Sequence, residues 1–236
     1  VQINQTMRST MELREALPDS LMKEFVQLRN RIKSFRRLYK SSAGFLTIDT
    51  LQKMTDKSQV KHLSIASWNS KKLPAEVYAC KNLQELELVN TRIKNVKQLN
   101  KLPALTGLYL LNNKPKGRLA FSKTKTVRTL VMRSDVPTLP RSFASLAALE
   151  RLDLSTNAIG TFPTGLTKNK NLKQLILSNN AITKLEITEP LPQLEKVELT
   201  RNKLEAIPES IRNLSGLKQL PLNYNAIKSV DPAIAN

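Results

Sequence analysis

Cysteine is nearly missing from this chain. Cys80 is the only one in 236 residues, so no intrachain disulfide can form. That favours a reducing compartment or a bacterial protein. Histidine is as scarce: His62 stands alone, no two-histidine metal site can exist, and a metal would have to be held by carboxylates. The six glycines are scattered, and none builds a phosphate-cradling loop. Aromatic residues make up 5% of the chain, which leaves leucine to fill the core. No apolar run reaches the roughly 18 residues that a membrane-spanning helix needs. No signal-peptide pattern follows Val1. Acids are also thin. Lys and Arg number 38 against 19 Asp and Glu, a net charge of +19, which favours solubility and attraction to anionic surfaces without saying anything about fold.

What the chain does have is a repeat. From Leu149 to Ile234 the pattern L-x-x-L/V-x-L-x-x-N-x-I/L returns four times, starting at Leu149, Leu172, Leu194 and Leu217. The steps are 23, 22 and 23 residues. Stepping backwards at the same period finds weaker copies at Val127, Leu105, Leu83 and Val60, about eight in all. Self-similarity at this period is the signature of a solenoid in which each repeat packs only on its neighbours.

These segments, LERLDLSTNAIGTFP through LKQLPLNYNAIKSV, resemble the leucine-rich repeat family in its bacterial or intracellular 22–23-residue form. The resemblance implies an α/β fold: a curved leucine-rich repeat solenoid with a parallel β-sheet on the concave face and 3₁₀ or helical turns on the convex face. The cysteine-rich caps of many extracellular eukaryotic members are absent. Together with the start VQINQT, this points to a secreted or periplasmic bacterial protein, with a cytoplasmic one as the alternative.

Within a repeat, L-x-x-L-x-L reads as a short strand with its second and third leucines pointing inward. An asparagine carries both donors and an acceptor, and inside the following turn it can satisfy backbone groups that no strand reaches. Asn113, Asn157, Asn180, Asn202 and Asn225 are expected to form such a ladder. The position is Trp68 in the first repeat, Thr91 in the second and, after a one-residue deletion, Asp135 in the fourth. Leu73-Pro74, Leu139-Pro140, Phe162-Pro163 and Ile207-Pro208 start the convex segments, because proline fixes φ and opens a turn. The second repeat lacks that proline and is expected to be more regularly helical outside. An irregular loop is expected over Lys114-Pro115-Lys116-Gly117.

Ahead of the repeats, residues 1–59 read as a helical N-terminal cap segment, leaving 60–236 as the repeat domain. A short helix over Thr10–Leu17 stops at Pro18. A second, from about Leu21 to Lys40, places Leu21, Phe25, Leu28, Ile32, Phe35 and Tyr39 on one face and a run of Lys and Arg opposite. An end of a repeat stack exposes apolar core unless something covers it, and this helix is the expected cover. No polar terminal repeat follows the eighth, so a longer chain is one expectation.

Function reads as recognition rather than chemistry. Cys80 falls on the convex side of the first repeat and His62 on its strand, too far across the unit for a nucleophile–base pair. Glu85 and Glu87 share one strand face, and nothing completes an acid/base site around them. No cofactor is implied. The solvent side of the sheet offers an apolar stripe, Val89, Tyr109, Leu111, Val131 and Ile176, which with Arg133 and Arg151 is the expected protein-binding surface. From Leu88 to Ser134 there is no Asp or Glu. That span carries Lys94, Lys97, Lys101, Lys114, Lys116, Arg118, Lys123 and Lys125, an expected basic flank for an anionic ligand. Base-stacking aromatics are sparse there, which argues against nucleic acid. The main expectation is therefore a non-enzymatic protein-interaction module. The alternatives are the recognition part of a larger kinase, ligase or GTPase, or an anion binder.

Overall fold

The computed structural model describes residues 46–232, apart from 94, 97, 114–119, 122–123 and 140. The helices expected over 10–17 and 21–40, and the loop over Lys114–Gly117, lie outside the described residues. So do Lys94, Lys97, Arg118 and Lys123 of the basic flank.

The architecture follows from the alternation inside each repeat. Strands β1 (Leu46–Thr47), β2 (His62–Ala66) and β3 (Glu85–Val89) are followed by β4 (Asn95–Val96), β5 (Gly107–Leu111), β6 (Ala120–Phe121) and β7 (Thr129–Arg133). Then come β8 (Arg151–Asp153), β9 (Gln174–Ile176), β10 (Lys196–Glu198), β11 (Ala206–Ile207) and β12 (Ser229–Val230). Eight of them form one open parallel sheet in the order β1-β2-β3-β5-β7-β8-β9-β10. The pairs β4–β6 and β11–β12 form two small outer sheets.

The register is one residue per repeat. Leu63, Leu86, Leu108, Leu130, Leu152, Leu175 and Val197 pair in sequence. Each of them is 0% exposed. A column of leucines at the strand spacing of about 4.8 Å makes each repeat bury its neighbour's core, and each buried leucine is worth about 2 kcal/mol of transfer free energy. The eighth repeat joins the sheet only by the bridge Lys196–Gln219. The carbonyls of Gln219, Pro221 and Asn223 still accept from Val197, Leu199 and Arg201 at 3.0, 2.9 and 2.8 Å. Pro221 has no N–H to return, so no continuous ladder forms.

Before the first full repeat, β1 leads into helix α1 (Ile48–Lys53), capped by Thr47 and burying Ile48 and Leu51. On the outer side, 3₁₀ turns run over Ala75–Ala79, Leu99–Lys101, Arg141–Ser145, Leu166–Lys168 and Glu209–Asn213. Pro74 and Pro208 sit at the caps of the first and last of these. The second repeat departs from expectation. Its outer segment is a three-residue 3₁₀ turn, Leu99–Lys101, and not a regular helix. Pro103 follows Leu102 and disfavours the α conformation there, so the turn cannot propagate.

Between strand and outer turn, the chain reverses through one left-handed residue per repeat: Ser67, Asn90, Asn112, Asp135, Thr156, Asn179, Arg201 and Tyr224, with φ from 49° to 60°. For non-glycine residues this conformation costs about 1–2 kcal/mol each. The ladder side chains hold it in place. Asn157, Asn180, Asn202 and Asn225 each donate to two or more backbone carbonyls of their own and the preceding repeat. Their Oδ1 atoms accept from Val136, Ile159, Ile182 and Leu204 N–H groups. Asn113 donates to Leu88 O at 2.8 Å and accepts from both Thr91 N and Thr91 Oγ1. In the fourth repeat the ladder residue is Ser134, not Asp135. Ser134 Oγ accepts from Asn113 N at 3.1 Å and donates to Leu110 O at 3.3 Å. The deletion shifts the left-handed residue one place on, and exposed Asp135 takes it.

Candidate functional site

The parallel register sorts the solvent-facing side chains into three rows that cross the sheet. One row runs His62, Glu85, Gly107, Thr129, Arg151, Gln174 and Lys196. The next runs Ser64, Glu87, Tyr109, Val131, Asp153, Ile176 and Glu198. The third holds Ala66, Val89, Leu111 and Arg133.

The rows bond along themselves and to one another. His62 Nδ1 lies 3.0 Å from Glu85 Oε2, and Ser64 Oγ donates to Glu87 Oε2 at 2.7 Å. Tyr109 leans back over Gly107 and donates its hydroxyl to Glu85 Oε1 at 3.2 Å. Arg133 Nη2 donates to Asp153 Oδ2 at 2.7 Å, with Arg151 Nη2 at 3.7 Å from the same oxygen. Arg151 also donates to Gln174 Oε1 at 2.9 Å. Further along, Ser178 donates to Glu198 Oε1 at 2.8 Å, and Lys196 stands 3.4 Å from Glu198.

This self-bonding sets the electrostatics. Burial pushes the Tyr109 phenol up, and the Glu85 carboxylate beside it adds to the shift, to about 12. Burial alone would raise Asp153. Arg133 and the hydrogen bonds from Ser155 outweigh it, and the carboxyl is held below its usual value. A phenol kept protonated and a carboxylate kept ionised are fixed donors and charges at neutral pH.

The apolar stripe is less open than its sequence implies. Leu111 is 2% exposed, and Val131 and Ile176 are each 8% exposed. Val89 and Tyr109 are half-buried. The aliphatic members are thus closed to solvent, and the large side chains that this face leaves partly open near its centre are Tyr109, Arg133 and Arg151. Their side chains are already tied.

The other candidates are scattered. Of the basic flank, Lys101 and Lys125 are described and exposed, and Lys101 Nζ sits 5.6 Å from the centre of the Tyr78 ring. Cys80 is fully buried, which pushes its thiol up. No group of three His, Cys, Asp or Glu side chains among the described residues could hold a metal ion. Among the described residues no helix is long and apolar enough to cross a membrane.

Two features escaped the sequence reading. One is the brace from Tyr109 to Glu85. The other is a line of alternating charge at the strand entrances: Arg128, Glu150, Lys173, Glu195 and Lys218. Arg128 pairs with Glu150, Lys218 pairs with Glu195 at 3.0 Å, and Lys173 helps to hold the Glu195 carboxyl low. Opposite charges at one repeat position in successive strands are a readable signal for such a line.

The parallel strands, the one-residue register and the internal asparagines together decide the architecture. This is a leucine-rich repeat solenoid. A family model for leucine-rich repeats, in two copies, matches residues 170–213. Comparison with curated proteins finds no match. Among solved structures, a leucine-rich repeat protein of Leptospira interrogans is similar at 27% identity and a TM-score of 0.57, covering 73% of this chain and 48% of that one. TLR13, solved in a complex with ssRNA13, is 25% identical with a TM-score of 0.62, over 76% of this chain and 27% of TLR13. An internalin of Listeria monocytogenes shares the fold at 18% identity and a TM-score of 0.50, over 74% and 56% of the two chains. The chain thus spans about half the length of the Leptospira protein and about a quarter of TLR13.

Proposed function

We propose that this leucine-rich repeat protein is a non-enzymatic interaction module that binds a protein partner through the solvent face of its sheet. The contact area covers Val89, Tyr109, Leu111, Val131, Arg133, Arg151 and Ile176. Tyr109, Arg133 and Arg151 are its anchors, and the buried aliphatic residues are their floor. The observation that carries this is pre-organisation. Tyr109 is tied to Glu85, and Arg133 and Arg151 converge on the buried carboxylate of Asp153. Tyrosine and arginine dominate interface hot spots, and fixing them before binding removes ordering cost from association.

The test is affinity capture with partner identification, comparing the wild type with Tyr109→Ala/Arg151→Ala. Arg151 keeps 39% of its side chain exposed and Tyr109 is half-buried, so the double variant keeps its fold better than a charge placed at buried Ile176 would. Loss of the wild-type partner with a nearly unchanged melt supports the face. Retained capture rejects it.

A second reading rests on the acid-free span from Leu88 to Ser134. There the basic flank binds an anionic ligand, with Lys101 and Lys125 as its exposed described members. Binding then weakens steeply with salt and is lost in Lys101→Glu/Lys125→Glu. Salt-independent binding sinks that reading.

A further inference from the structure

The rim at which each strand turns into its ladder residue carries one left-handed side chain per repeat. In six repeats that side chain is small and polar: Ser67, Asn90, Asn112, Asp135, Thr156 and Asn179. In the last two it is Arg201 and Tyr224, at φ of 59° and 60°. The turn is fixed by the hydrogen bonds of Asn202 and Asn225, so the backbone stays left-handed whatever the side chain. Asparagine suits that backbone, and arginine and tyrosine do not. The left-handed turn backbone gains nothing from the two large residues at this place.

Their side chains are also exposed and matched to each other. Tyr224 is 74% exposed, and with Val230 it is one of two large apolar side chains left open among the described residues. Arg201 Cζ lies 5.0 Å from the centre of its ring. No described carboxylate forms an ion pair with Arg201, nor with exposed Lys203 two residues on. On the opposite rim of the strands, Arg128 and Lys218 are each paired with a glutamate of a neighbouring repeat. Among the described residues, no carboxylate answers the positive charge at Arg201.

We infer that Arg201 and Tyr224 form a docking point for an acidic segment of a partner protein. A carboxylate of that segment takes the free N–H donors of Arg201, and a neighbouring apolar side chain packs on the Tyr224 ring. A guanidinium resting on a ring keeps its donors available for a two-pronged carboxylate contact. The stack holds both groups in place before binding. Nucleic acid would need a line of cations along its backbone and successive aromatic platforms, and this rim provides a single ring. The site stands on another edge of the repeats from the sheet face and does not rest on it.

The test pans a displayed library of random peptides on the intact chain. Enriched peptides are expected to carry Asp or Glu beside Leu, Phe, Tyr or Trp. They should bind about tenfold or more weakly to Arg201→Asn/Tyr224→Asn, the size of effect expected for hot-spot truncation. Those two changes install the residue that already occupies rim positions 90, 112 and 179, so the Tm should hold or rise, and lost binding cannot be charged to unfolding. Tyr224→Trp keeps the ring face and should keep binding. The sheet-face variant Tyr109→Ala/Arg151→Ala should bind these peptides normally, so the two surfaces fail separately. A library that yields no peptide dependent on the pair overturns the inference. So does a single-stranded oligonucleotide that the wild type binds and the Asn variant releases.

Discussion

The Tyr109 hydroxyl donates to Glu85 Oε1 at 3.2 Å, reaching it across Gly107, where any Cβ would stand 3.1 Å from the Tyr109 ring. Three residues on neighbouring strands thus make one unit: an acceptor, a donor and the gap that lets them meet.

That unit sets a titration. The phenol is pushed from its ordinary 10.0 to about 12, first by burial and then by Glu85. The folded state therefore holds this proton more tightly than the unfolded chain does. The stability it contributes is complete below about pH 10 and is lost as pH rises towards about 12. Tyrosinate absorbance should show a late transition that disappears in Tyr109→Phe and moves towards lower pH in Glu85→Gln. A late transition unmoved in Glu85→Gln would leave burial as its sole cause.

The same mutation at two glycines should have unequal consequences. At Gly107 the near atoms belong to the side chains of Tyr109 (ring edge and hydroxyl) and Glu85 (Cγ), not to backbone, and can shift aside. Gly107→Ala should cost at most about 1 kcal/mol, while freeing the Tyr109 hydroxyl and lowering its titration. At Gly216 an added Cβ would stand 2.0 Å from the backbone carbonyl of Pro192. Gly216→Ala must move the backbone and should cost about 2–3 kcal/mol in urea unfolding. Equal melts for the two variants would refute this contrast.

Adjacent asparagines also separate. Asn180 donates to Leu154 O and Leu177 O, both at 2.9 Å, and accepts from Ile159 N at 3.1 Å. Asn180→Ala strands these interior groups and should destabilise by about 2–4 kcal/mol. Asn179, next to it, is exposed with φ of 57°. Asn179→Gly should be nearly neutral, because glycine adopts that backbone freely. Chemical denaturation of both variants checks the pair.

The Arg133–Asp153 pair should show its worth through pH. The Asp153 side chain is 4% exposed, and its carboxyl is held below the ordinary 3.8. A depressed carboxyl contributes stability that is present above its ordinary value and lost as pH falls through its folded one. Arg133→Met removes the nearer partner and leaves Arg151 at 3.7 Å with the Ser155 bonds. It should cost about 2 kcal/mol at pH 7, less than for a carboxylate left wholly unpaired. The deficit should shrink below about pH 4 as Asp153 takes up a proton. A deficit constant with pH would assign the loss to packing.

How much of this was legible follows from how a solenoid is built. Contacts in a stack fall at one fixed sequence separation, so a period of 22 or 23 residues is itself a statement of which residues touch. Leu63, Leu86 and Leu108 could be placed in one column, and Asn157, Asn180 and Asn202 inside one line of turns, because a leucine or asparagine at those offsets has only one environment to enter. The sequence by itself therefore determined the fold, the interior and the strand register.

Only the tertiary structure decided what the surface shows. Leu111, Val131 and Ile176 alternate outward along their strands, and yet they are 2%, 8% and 8% exposed in the folded sheet. Ser134 replaces Asp135 in the ladder because a deletion is absorbed at the turn, and hydrogen-bond geometry chooses where. Tyr109 reaches Glu85 only through the gap at Gly107, and Arg201 meets Tyr224 only because both turns force the same left-handed backbone. A repeat pattern fixes where side chains start. Which way long side chains lean is settled by their neighbours in space, through sterics and charge that no single position in the sequence carries.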